Sequence, residues 1–153
     1  MQSILDFCDK IFIKCARMCG IPFARFSLFV VFFWFGALKL IDESPANPLV
    51  SKLLSETMPF ISFETFIFLF GLFEVIIGLS FLFPKFVRIS IALLAFHMVT
   101  TFLPLVLLPE IAWQRAFVPT LEGQYIIKNL LIIATAISIV SHMHLPHHER
   151  SEI

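Results

Sequence analysis

This sequence has little charge. Only 14% of its 153 residues are Asp, Glu, Lys or Arg, where an ordinary soluble domain carries about a quarter. The basic and acidic residues balance at 11 each, so no cationic excess exists to neutralise phosphates and a nucleic-acid partner is excluded. Cysteines are few. Cys8, Cys15 and Cys19 are the whole set, too few and too close together for a secreted disulfide framework. No two of them form a Cys-x-x-Cys pair, so the motif of thiol oxidoreductases is missing. Five glycines are too scattered for a phosphate-cradling loop, and no Ser/His/Asp set or paired catalytic carboxylates can be read. No cleaved signal peptide is expected either, because Asp6, Asp9, Lys10 and Lys14 interrupt the apolar residues near the start.

What is present is apolar surface. Hydrophobic residues make up 59% of the chain, 20 of them Phe, and the mean hydropathy is +0.94. A domain this small leaves a large share of its surface exposed and could not hide so much hydrocarbon from water. Lipid is the expected solvent. A spanning helix needs about 20 largely apolar residues, and four stretches meet that length: residues 22–41, 63–83, 86–108 and 121–141. Ser62 is placed to cap the second, Pro84 to stop it, and Pro104 to bend the end of the third. The fold class expected is an all-α membrane protein, a four-transmembrane-helix bundle over residues 22–141.

An N-terminal amphipathic interfacial helix, residues 1–20, is expected to precede it. Ile4, Cys8, Ile11, Cys15 and Met18 recur at helical spacing while Lys10, Lys14 and Arg17 fall on another face. An ordinary packed helix cap fits the same pattern. Residues 142–153 form a His-rich tail, with His142, His144, His147 and His148 lacking a fixed carboxylate frame for a metal. Both termini are expected to be cytoplasmic. That orientation puts Lys10, Lys14, Arg17, Arg25, Lys85, Arg88 and Arg150 inside, and only Lys52 and Arg115 outside. The connections at 42–61 and 109–120 carry Pro45, Pro48, Pro59, Pro109 and Pro119, which reads as structured caps.

Ionisable residues inside the spans point toward function, because each costs at least about 2.5–3.5 kcal/mol near the bilayer centre unless partnered. At about 1.5 Å rise per residue, Glu74 and His97 fall at the midpoints of their spans and Lys128 about 5 Å outward. Lys39 comes near the outer end of the first span, about 10–12 Å from centre. We expect Glu74, His97 and Lys128 to face the interior, with Asn129 nearby, Lys39 above them, and Thr100 and Thr101 about one turn outward of His97. Two readings stay open. The five residues Lys39, Glu74, His97, Lys128 and Asn129 line an outward-opening binding pocket, or the charges only fix helix packing. Gly36, Gly71 and Gly78 are expected to let the helices approach closely beside them. No cofactor is expected; His97 and His142 lie about 16 Å apart in depth and cannot share a haem iron.

Three stretches carry a resemblance: FFWFGALKL at 32–40 with SPANPLV at 44–50, FGLFEVIIGL at 70–79, and GQYIIKN at 123–129. They resemble the DoxX-like superfamily of small integral membrane proteins, nearest to its reactive-chlorine-resistance inner-membrane branch. Asn129 stands where that branch has Asp, which removes the charge from that position. The resemblance covers residues 22–141 and implies a compact four-helix bundle in the inner (plasma) membrane. It also implies a redox-stress or quinone-associated accessory subunit more than a catalyst, with a quinone or other small molecule as the ligand. A non-enzymatic scaffold or assembly factor is the alternative. The expected partners are the lipid bilayer, a membrane or redox subunit, or a second copy of the chain. Fold-level analogy does not choose among the superfamily's roles.

Overall fold

The computed structural model describes the backbone of residues 2–143 and the side chains from residue 6 onward. His144, His147 and His148 of the tail lie outside the described residues. Among the described residues, four helical stretches are long and apolar enough to cross a membrane: Asp6–Leu40, Phe63–Leu82, Pro84–Leu107 and Leu121–Ser141.

Helix α1 runs unbroken over Gln2–Leu40. The residue pattern separates an N-terminal helix from the first span near Pro22, yet helix continues through that residue. Proline removes one intrahelical donor there, and the remaining i to i−4 bonds carry the helix past it. Residues 6–20 are exposed on every side. At its other end α1 closes on a Schellman motif: the Glu43 N–H donates to the Leu38 carbonyl at 2.9 Å and Asp42 N–H to Lys39 at 3.3 Å. Asp42 takes the left-handed position at φ 58°, steadied by Asn47 Nδ2 donating to its carboxylate at 2.6 Å.

The connections from 41 to 62 and from 108 to 120 are structured, as their prolines suggest. Helix α2 (Asn47–Thr57) fills the first. Helix α3 (Phe63–Leu82) begins at Ser62, whose hydroxyl accepts from the Thr65 N–H, and ends before Pro84. A 3-10 turn over Pro84–Phe86 leads to α4 (Val87–Phe102) and then α5 (Pro104–Leu107), so the third span is interrupted at Leu103, one residue before its proline. Short α6 (Pro109–Ala112) and a two-stranded antiparallel hairpin, β1 (Trp113–Arg115) and β2 (Val118–Pro119), complete this cap. Trp113 Nε1 donates to the Leu105 carbonyl at 3.0 Å and Thr120 Oγ1 to Ile111 at 2.6 Å. The fourth stretch starts from Thr120, whose hydroxyl caps Gly123 N–H, and divides into α7 (Leu121–Lys128) and α8 (Leu130–Ser141) at Asn129. Nothing in the apolar pattern of 121–141 anticipates that division.

Leu28 and Phe32 of α1, Ile77 and Phe81 of α3, Leu94 and Met98 of α4, and Ile139 of α8 form the apolar core. The tightest pair is α1 with α3. A Cβ added to Gly36 would sit 2.7 Å from the Gly71 carbonyl oxygen, and one on Gly78 would sit 2.6 Å from the Phe33 nitrogen. Only glycine permits backbones so close. At the end of the bundle opposite the cap, Arg25 donates to the Phe81 and Leu82 carbonyls at 2.9 and 2.8 Å. These are the open C-terminal carbonyls of α3, and a cation there also opposes the helix dipole.

Candidate functional site

Gly36-Ala-Leu-Lys39 on α1 and Gly71-Leu-Phe-Glu74 on α3 are the same device written twice. A glycine stands three residues before a charge, so both share a helix face one turn apart. The two helices oppose these faces reciprocally. A Cβ on Gly71 would meet the Lys39 Cβ at 2.9 Å, and one on Gly36 would meet the Glu74 Cβ at 2.9 Å. Each glycine thus vacates the space through which the other helix's charged side chain passes. Lys39 reaches Glu74 by this route, although the depth count separates them by about 10–12 Å.

The pair closes tightly. Lys39 Nζ donates to Glu74 Oε2 at 2.6 Å, and both side chains are buried. The second carboxylate oxygen, Oε1, lies 2.9 Å from His97 Nε2 on α4. A carboxylate oxygen accepts, so Nε2 is the donor. Thr101 Oγ1 donates to the His97 carbonyl oxygen at 3.0 Å and stands 3.0 Å from Nδ1. One continuous hydrogen-bonded chain therefore runs from α1 through α3 to α4. Its two formal charges cancel, and each of its strongly polar members is bonded to the next, which is what makes such a group tolerable in an apolar interior.

Aromatic rings wall it in. Phe70 stacks on the His97 imidazole with centroids 5.0 Å apart and planes at 11°, and Phe32 meets it edge-on at 5.3 Å. Phe73 lies on it at 6.1 Å, and the Lys39 ammonium sits 5.5 Å from the Phe70 centroid. Lys39, Glu74 and His97 are 6%, 5% and 4% exposed. The expected open pocket is thus a filled cluster, packed by rings and internally bonded. Only its Thr101 end is half-buried. Thr100 turns its hydroxyl back to the His97 carbonyl at 2.7 Å and adds nothing to the chain.

Lys128 does not join. The interior face of α7 is set by Gly123 and Ile126, both buried, with Gly123 pressed against the Ala112 carbonyl. At about 100° per residue, Lys128 lies about 200° past Ile126. It is exposed, with its ammonium 4.9 Å from the centroid of its neighbour Tyr125. The expectation that Lys128 points inward is therefore corrected. Asn129 is half-buried at the α7–α8 junction. No hydrogen bond or ion pair among the described residues links either one to Lys39, Glu74 or His97. Cys8, Cys15 and Cys19 are free and exposed. No three of His, Cys, Asp and Glu come together as metal ligands among the described residues. One signal in the sequence could have paired Lys39 with Glu74: the glycine-to-charge spacing that α1 and α3 repeat.

Compared with known proteins, the chain matches no family model, no curated protein and no solved structure.

Proposed function

We propose that the chain is an integral membrane accessory subunit of the DoxX-like kind, serving redox-stress or quinone-linked chemistry without being the catalyst. In this reading the four apolar helices cross the inner membrane with both termini cytoplasmic. Residues 6–20 continue the first spanning helix past Pro22 on the cytoplasmic side, with Lys10, Lys14 and Arg17 toward water. The Lys39–Glu74–His97–Thr101 chain carries the proposal. It is a hydrogen-bonded run of polar groups crossing three helices, and its half-buried Thr101 end is where a small ligand would meet it and exchange a proton. Quinone reduction consumes protons with its electrons, which is why a quinone headgroup suits such a chain.

Titration of the purified full chain with quinones tests this. Saturable binding that is weakened in Glu74→Gln and His97→Phe is expected. Binding absent, or unchanged by both substitutions, refutes it. A second reading has its own observation: every member of the chain already has a partner inside the protein, as a helix-ordering cluster would. A scaffold or assembly factor of that kind loses thermal stability and partner pull-down together in the same variants, with no ligand effect.

A further inference from the structure

Lys128 poses a problem that the buried cluster does not solve. It lies seven residues from the cap end of the fourth stretch, Leu121–Ser141, which is about 10 Å deep along the helix. It is exposed, and among the described residues its ammonium meets only the Tyr125 ring. Gln124, one turn before it, is exposed on the same face, and neither it nor half-buried Asn129 makes a side-chain hydrogen bond among the described residues. Leu131, the next residue on that face, is 70% exposed. Ionisable side chains at membrane depth face protein, water or each other in nearly all cases. If the four stretches span a bilayer, as proposed above, this face therefore awaits cover.

We propose that the Gln124–Lys128–Leu131 face of the fourth span docks a transmembrane helix of a different protein, one that places an Asp or Glu opposite Lys128. Charge decides the partner. A second copy meeting this face about a two-fold axis along the membrane normal would bring Lys128 against Lys128. Nor do the described residues offer the complement elsewhere at that depth. Glu74 is buried and engaged by Lys39 and His97, and Glu64 and Glu122 belong to the first turns at the cap end. The stabilising partner is a carboxylate supplied from outside, desolvated against Lys128, with Gln124 and Asn129 able to add interhelical hydrogen bonds.

The test is site-specific photo-crosslinking of the full chain in its native membranes. A benzoylphenylalanine replaces Leu131, or Val99 on α4 (65% exposed) as the control. The Leu131 probe is expected to join one transmembrane segment of another protein, with an acidic residue within a turn of the joined position, and the Val99 probe to miss it. Lys128→Met should lower that yield by about tenfold or more, while Lys128→Arg keeps it. Lys128→Glu should recover it once the partner's carboxylate is changed to Lys. Crosslinks to lipid alone, to a second copy or to a segment without an acidic residue overturn the proposal, as does an unchanged yield in Lys128→Met. Extraction with alkaline carbonate separates the two layers of inference. A chain released by it refutes the spanning reading, whereas a retained chain without the crosslink refutes the docking face alone.

Discussion

Lys39 and Lys128 both lie within apolar helices, and the molecule treats them in opposite ways. Lys39 is buried, held at 2.6 Å by Glu74 and covered by Phe70. Lys128 is exposed and rests on Tyr125. The side chains are chemically identical. The difference comes from their neighbours: Lys39 follows Gly36 at the reciprocal contact of α1 with α3, whereas Lys128 lies on the face of α7 opposite Gly123 and Ile126. A charge in an apolar helix thus marks a contact. Whether that contact is made within the chain depends on which side the small residues bury.

The contrast can be broken most severely at Lys39. Lys39→Met leaves the Glu74 carboxylate buried without its ammonium and should cost about 3–5 kcal/mol, read as a lower melting temperature in detergent. Lys39→Met combined with Glu74→Leu removes both charges and should recover much of that loss. If the single and double variants melt alike, the charge explanation fails. Next come the glycines: Gly36→Ala or Gly71→Ala forces a methyl against the opposing helix and should cost about 1–3 kcal/mol. Gly20→Ala, which meets nothing within 4 Å, should be neutral or stabilise by up to about 1 kcal/mol. Arg25→Met, which strips two donors from the end of α3, should cost about 1 kcal/mol, seen in the same melts. The smallest effect belongs to Lys128→Met. In the isolated protein it should move stability by less than about 0.5 kcal/mol, and a loss as large as that of Lys39→Met would erase the contrast.

Much of this architecture is readable from residue patterns. Four runs of apolar residues become four helical stretches, Ser62 caps as its chemistry suggests, and the proline-bearing connections fold into a cap. Glu74 and His97, at matched depth, both turn inward. Other features escape such patterns. Pro22 does not end a helix, because the loss of one hydrogen bond is small beside the many that continue around it. Asn129 divides the fourth stretch, a break that apolar length does not reveal. Depth counting also misses the meeting of Lys39 with Glu74. It assigns height along a helix but ignores the length of a lysine side chain and the level at which α1 ends against α3.

Composition and spacing alone determined that the chain buries little charge in much hydrocarbon, that it is helical, and that Lys39, Glu74 and His97 need partners. These follow from the solvation cost of each residue, a local property. The tertiary structure decided which partners they take and that Lys128 is left out. Those outcomes depend on helix rotation, set by where backbones can touch: at Gly36 and Gly71 for one lysine, and at Gly123, turned away, for the other.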